Sequence, residues 1–227
     1  MHKRLSVAID GPSGAGKSTL ARAAAERFGF IYVDTGAIYR TVGLAACRRG
    51  IDGDDSEGVL RMLPALSIEL RHNEQGIQRM FLDGEDVSER IRTPEISSYA
   101  SKVSAIAGVR AYLMEMQRSL AREMSVVMDG RDIGTVVLPD AELKVFLTAS
   151  PEARAERRAR ELREKGMESS FAEILAAINE RDKRDSSRDA APLRAAEDAV
   201  LLDTTAMSLS ESIEALCALI RERLCDE

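Results

Sequence analysis

The chain has 227 residues, 44% hydrophobic and 31% charged, which is enough apolar material for a packed core in one or two domains of ordinary size. That balance excludes a disordered, collagenous or coiled-coil chain, and no apolar run approaches the roughly 18 residues needed to cross a bilayer. The net charge of −6 argues against nucleic acid or a membrane surface as the main partner, and the acidic excess sits in residues 51–100, with 11 acidic against 5 basic side chains.

The opening MHKRLSVAID has neither an apolar h-region nor a small-residue cleavage site, so a cytoplasmic protein is expected. Cys47, Cys217 and Cys225 are widely spaced without a CxxC, and His2 and His72 cannot complete a zinc set with them. Reduced thiols are the expectation. Of the 32 basic residues 26 are arginine, which suits bidentate phosphate recognition but also follows from genomic composition.

Residues 4–9 (RLSVAI) form a short apolar run that stops at Asp10-Gly11-Pro12, the pattern of a buried strand entering a turn. STLARAAAERF reads as a helix from Lys17 to Phe28 with apolar Leu20, Ala23, Ala24 and Phe28. A strand FIYV leads to Asp34, and a second helix runs from Thr35 to about Arg49, closed by Gly50. This alternation predicts a doubly wound parallel sheet.

The rhythm then changes. Residues 66–92 alternate apolar and polar around turn formers at 72–76 and 83–84, which predicts a small antiparallel sheet inserted in the fold. Pro94 opens a helical region to about Met124 that Gly108 is expected to bend or divide. Buried strands follow at 125–129 and 142–147, then a highly charged helix from Ser150-Pro151-Glu152 to Lys165 and another over about 170–184. A last strand at 199–203 precedes a helix opened by the capping box Ser208 and Glu211. The expected organisation is one α/β domain with a five-stranded parallel sheet and flanking helices. Its core covers 1–34, 94–150 and 195–227, an acceptor-binding region about 35–93 contains the insert at about 63–93, and a short helical lid spans about 151–168.

Gly11-Pro12-Ser13-Gly14-Ala15-Gly16-Lys17-Ser18 fits GxxxxGK[ST], between a strand and a helix as phosphate binding requires. The glycines let backbone N–H groups turn toward phosphate oxygens, and the helix N-terminus adds a favourable dipole. Lys17 can reach the terminal phosphates, Ser18 can ligate Mg²⁺, and Thr19 continues the loop into the helix. The chain is expected to bind a nucleoside triphosphate. No NKxD-type base-reading element follows either later strand, so a small-molecule phosphotransferase is favoured over a switch GTPase.

Such an enzyme needs a second anion site. Arg181, Asp185 and Arg188 lie at i, i+4 and i+7, one stripe of a helix or of its extension, suited to a phosphate and a sugar hydroxyl, or equally to a solvated ion pair. Arg131 and Asp132 follow a strand directly, at the sheet edge where ligands bind in open α/β folds, although an ordinary polar loop reads the same way. Arg40 lies near the phosphate loop in chain order and could also be a surface arginine.

IDGPSGAGKST, DTGAIYR, DGRDIGTVVLPDA and INERDKRDSSR, in this order, resemble the bacterial cytidylate kinase family over nearly the whole chain. The resemblance implies transfer of phosphate from ATP, with Mg²⁺, to CMP or dCMP, in pyrimidine nucleotide metabolism. It implies that Arg40, Arg131 and Arg188 hold the acceptor phosphate and that Arg181 and Asp185 contact the sugar. Ser101, Arg110 and Asp132 would read cytosine, and Thr35 would line the acceptor site. Cytosine offers an amino donor with ring acceptors, and uracil reverses two of these polarities, so a buried polar site can separate them. Lys17, Arg131 and Arg188 would stabilise the transferring group, Asp129 would hold metal-bound water, and Arg157 of the lid would contact ATP. A monomer is expected. The alternatives are a kinase of the same fold acting on another acceptor, and a nucleotide-dependent switch without turnover.

Overall fold

The computed structural model describes residues 4–164, 166–167 and 169–225. In chain order the elements are β1 (Ser6–Asp10), α1 (Lys17–Phe28), β2 (Ile31–Asp34), α2 (Thr35–Arg48), α3 (Ser56–Met62), β3 (Ile68–His72), β4 (Gln78–Leu82) and β5 (Glu85–Asp86). The second half holds α4 (Pro94–Val103), α5 (Ala107–Glu123), β6 (Val126–Gly130), β7 (Leu143–Thr148), α6 (Pro151–Glu164), α7 (Phe171–Ser187), β8 (Val200–Asp203) and α8 (Leu209–Cys225). The larger sheet has five strands in the order β2-β6-β1-β7-β8, and the smaller is the antiparallel sheet β3-β4-β5.

Two compact units divide the chain, one of residues 1–30 and 125–227, the other of residues 31–124. In the first, β1 runs parallel to β6 and to β7, and β7 runs parallel to β8. Val7, Ala8 and Ile9 of β1 are completely buried, as are Val126, Val127 and Met128 of β6. Strands covered on both faces need continuous rather than alternating apolar sequence, and these have it. Leu216, Cys217 and Ile220 give α8 its buried stripe, and Ala155, Leu162 and Ile174 join α6 to α7.

The second unit has its own core, with Ile38, Val42 and Ala45 of α2 beside Ile96, Ala100 and Val103 of α4 and Val109 and Leu113 of α5. In the β3–β4 hairpin Ile68 faces Leu82 and Leu70 faces Met80, while Glu69 and Arg71 stand opposite Phe81 and Arg79. The first set belongs to the core cluster and the second is exposed or half-buried. The period-2 alternation is thus a packing pattern.

Three details differ from the sequence expectation. The helical region after Pro94 divides at Ser104–Ile106, and Gly108 lies inside the first turn of α5, against Leu60. Helix α3, capped by Asp55 through Gly58 N–H at 2.9 Å, is additional. Ile133–Val137 forms a single π-helical turn, closed by Val137 N–H to Asp132 O and Leu138 N–H to Ile133 O. Of the expected lid, Lys165 and Glu168 lie outside the described residues, as does His2.

Candidate active site

The phosphate loop begins where β1 ends. Gly11 has φ +149°, and a Cβ there would meet the Leu147 carbonyl oxygen of β7 at 1.9 Å. Only a glycine lets the chain leave β1 so close to the neighbouring strand. The loop delivers the chain to Gly16, the N-cap of α1, where no side chain caps the helix. Orphan N–H groups at a helix start favour an anion.

Lys17 is 5% exposed and donates to Pro12 O at 2.8 Å. Burial first, then the positive charge of Arg131, lowers its pKa to about 7, against the raising effect of Asp129. A polyanion beside this amine would restore its full charge. Ser18 Oγ donates to Asp129 Oδ2 at 3.0 Å. The parallel register sets Asp129 beside Ile9 and Gly130 beside Asp10, so both strands end at the loop.

Directly after β6, Arg131 donates through Nε to Asp185 Oδ2 at 2.9 Å and through a guanidinium NH to Gly130 O at 3.1 Å. Asp185 is a buried residue of α7. Burial pushes its carboxyl up, but the charge and hydrogen bond of Arg131, with Arg181 and Arg188 behind them, hold it below the usual value. Arg188 ends α7 in extended conformation, donates to Ala191 O at 2.5 Å and lies 3.8 Å from Asp132 Oδ1. The first unit therefore gathers Lys17, Ser18, Asp129, Arg131, Asp132, Arg181, Asp185 and Arg188 around the carboxyl ends of β1 and β6. This is where ligands bind in open α/β sheets.

In this unit the sequence reading misses Asp10 and takes Arg154 only as one of the arginines of the charged lid helix. Asp10, 4% exposed, accepts the N–H groups of Ile133 and Gly134, each at 2.7 Å, and so ties the π-helical turn to the end of β1. Burial raises its pKa to about 6 despite those two hydrogen bonds. Arg154 of α6 is 2% exposed and donates to Ser13 O in the phosphate loop at 3.0 Å, to Ala149 O at 2.9 Å and to both oxygens of Asp182 at 3.1 and 2.6 Å. Arg157 lies one turn on and donates to Ala15 O at 3.4 Å and Thr204 O at 2.5 Å.

In the second unit Asp34 caps α2 by accepting from Ala37 N–H at 2.9 Å, and its other oxygen holds Arg40 at 2.6 Å. A Cβ on Gly36 would meet Asp34 Oδ1 at 3.0 Å and an Arg40 nitrogen at 3.2 Å, so the glycine makes room for the pair. Thr35 is buried in the first turn of α2. Arg110 of α5, buried, donates to Ser104 O at 3.1 Å and lies 5.4 Å from the ring centroid of Tyr39. Ser101 lies half-buried on α4, a helix packed against α2. Among the described residues no cluster of three or more His, Cys, Asp or Glu could hold a metal by itself, and no helix is long and apolar enough to cross a membrane.

The cytidylate kinase family model matches residues 7–222. A cytidylate kinase from Caldicellulosiruptor bescii is 49% identical over 93% of this chain and 93% of its own length. One from Caldicellulosiruptor saccharolyticus is 46% identical over 99% of each. Among solved structures, an uncharacterised protein from Eubacterium ventriosum superposes with a TM-score of 0.52 at 11% identity, covering 99% of this chain and 100% of the other, a likeness of fold alone.

Proposed function

Since the chain belongs to the cytidylate kinase family, we propose that it transfers the γ-phosphoryl group of ATP to CMP and dCMP, giving ADP with CDP or dCDP. It is a nucleoside monophosphate phosphotransferase. The observation that carries the reading is the sharing of one strand-end region by the Lys17–Ser18 donor loop and the Arg131–Asp185 and Arg188–Asp132 pairs.

Phosphoryl transfer of this kind asks the protein for position and charge rather than covalent chemistry. On this reading the loop 11–19 cradles the ATP phosphates and Lys17 bridges the terminal ones. Arg131 and Arg188 hold the acceptor phosphate and stabilise the charge of the transferring group. Asp185 keeps Arg131 in place and, with Arg181, takes the sugar, while Asp132 addresses the base. From the second unit Arg40 serves the acceptor phosphate, Ser101 and Arg110 serve cytosine, and Thr35 lines the acceptor side. The attacking phosphate oxygen is ionised near neutral pH, so no general base is assigned.

Ser18 and Asp129 supply a hydroxyl and a carboxylate 3.0 Å apart, the hard oxygens that Mg²⁺ favours, and fit that ion. When bound, it would neutralise charge on the ATP phosphates. Ser18 would ligate it directly and Asp129 would hold its water.

Residues 151–168 are proposed to close over ATP, with Arg157 as a donor contact, because water in the site would divert the phosphoryl group. Hydrogen exchange with and without both nucleotides tests this, and unchanged protection in 151–164 would overturn it. The enzyme is read as a cytoplasmic monomer, and sedimentation would check its oligomeric state.

The test of function is ADP formation from ATP and Mg²⁺ with CMP, dCMP, UMP, AMP or no acceptor. Strong stimulation by CMP and dCMP, with little by AMP, is expected. No stimulation by any monophosphate would overturn the reading.

A further inference from the structure

The antiparallel hairpin of the second unit is attached to β2 by side chains at one matched pair of positions. His72 and Gln78 are register partners at the end of the β3–β4 ladder. His72 Nε2 donates to Tyr32 O at 3.0 Å, since a carbonyl can only accept. Gln78 Oε1 accepts from Asp34 N–H at 2.7 Å, and Gln78 Nε2 donates to Asp34 O at 3.2 Å. Tyr32 and Asp34 are two residues apart, so their peptide groups point to the same edge of the strand. β2 stands at the end of the five-strand order. The Gln78 amide therefore occupies the role of a peptide group in a neighbouring strand, donating and accepting at once.

What Gln78 holds is the residue that aims Arg40. Asp34 uses one carboxylate oxygen to cap α2 and the other to hold the Arg40 guanidinium at 2.6 Å. Among the described residues the buried Arg40 Nε finds no hydrogen-bond partner, so the side chain keeps a donor in reserve while its far end is fixed. A buried donor without a partner is costly unless a ligand supplies the acceptor. An arginine carries about 2 kcal/mol of rotamer entropy, and fixing it beforehand removes that cost from ligand binding.

We propose that Gln78 is a positioning residue for the acceptor phosphate, acting through Asp34 on Arg40, and that this is a task of the inserted hairpin. The inference rests on the reading of Arg40 as a phosphate-binding residue. The sequence places the insert in the acceptor-binding region but does not reveal this link, which needs a glutamine 44 positions from its partner.

The test compares wild type, Gln78→Ala, Arg40→Lys and the double variant, with CMP varied at saturating ATP and ATP varied at saturating CMP. Gln78→Ala is expected to raise KM for CMP about tenfold, the equivalent of one or two hydrogen bonds, with kcat and KM for ATP within about twofold. The double variant is expected to be no worse than Arg40→Lys alone, because both changes disable the same side chain. Gln78→Glu, which keeps the side-chain volume and the bond from Asp34 N–H but cannot donate to Asp34 O, covers the case in which alanine loosens the hairpin. It is expected to shift KM for CMP the same way while the protein still unfolds in one cooperative transition well above the assay temperature. A raised KM in Arg40→Lys with no change in Gln78→Ala and Gln78→Glu would overturn the proposal, as would fully additive effects. An unchanged KM in Arg40→Lys would instead overturn the phosphate reading beneath it.

Discussion

Arg154 and Asp182 form a two-point ion pair in which the arginine is 2% exposed and the aspartate keeps a path to solvent. The same guanidinium reaches the Ser13 carbonyl of the phosphate loop. It thus joins that loop to the helix carrying Arg181 and Asp185, next to and three residues beyond Asp182.

The asymmetry of burial sets an order of stabilities. Removing the carboxylate strands a charge that cannot reach water, at a cost of about 3–5 kcal/mol. Replacing the arginine by an apolar side chain of similar length lets Asp182 relax into solvent. Asp182→Asn is therefore expected to destabilise more than Arg154→Met in urea unfolding. The reverse order would show that the carbonyl contacts of Arg154, not its ion pair, dominate. Both variants are also expected to lose about tenfold or more in kcat/KM, as a loosened loop misplaces the donor phosphates.

The Ser18–Asp129 pair predicts a metal phenotype separable from nucleotide binding. Asp129→Asn keeps a partner for the Ser18 hydroxyl but removes the charge. The Mg²⁺ concentration for half-maximal rate is expected to rise about tenfold, while ATP affinity measured without metal changes less than about twofold. Equal shifts in both would count against the assignment.

Asp185 and Arg131 touch at 2.9 Å on the acceptor side. Asp185→Asn is expected to raise KM for CMP by about tenfold or more and leave KM for ATP within about twofold, because half of a charge-assisted contact is lost. A rise confined to ATP would place the pair on the donor side.

Two buried carboxylates pull the pH dependence of stability in opposite directions. Asp10 has its folded pKa raised to about 6, by burial first, from 3.8. Between those values the native state binds more protons than the unfolded chain, so the Asp10 contribution falls as pH rises through the window. Asp185 is lowered, since the arginines around it outweigh burial, and its contribution is present above the unfolded value and lost as pH falls below it. Asp10→Asn removes the first component. The unfolding free energy of this variant minus that of wild type is expected to rise steadily from about pH 4 to about pH 6, as the wild type alone loses stability. A constant difference over that range would refute the linkage.

Local chemistry was legible in the sequence. Glycines flank α1, and the helix runs from Lys17 to Phe28 as the pattern predicts. Continuous apolar runs marked the covered strands, and the alternation in 66–92 marked the hairpin. What stayed hidden depends on distant partners. Arg154 sits in a helix so charged that it reads as solvated, and its burial is accounted for by Asp182, 28 positions on, and the Ser13 carbonyl, 141 positions back. Gln78 looks like any polar residue of an exposed strand until Asp34 is beside it. The long helical region divides at Ser104–Ile106, ahead of the glycine at 108, and the bond from Arg110 to Ser104 O across that break could not be read from the sequence.

The π-helical turn at Ile133–Val137 makes this stretch sensitive to chain length as well as to residue identity. A π turn holds one residue more than an α turn closed around the same axis. Deleting one residue here, for instance Thr135, whose buried hydroxyl has no hydrogen-bond partner among the described residues, would let the turn close as ordinary helix. The path from Asp132 to β7 would then be one residue short, while Asp10 still pins its beginning at Ile133 and Gly134. Many side-chain exchanges at Val136 would be absorbed locally, but a single-codon deletion would be felt at both ends of the segment. Insertions and deletions should therefore be far rarer here than substitutions.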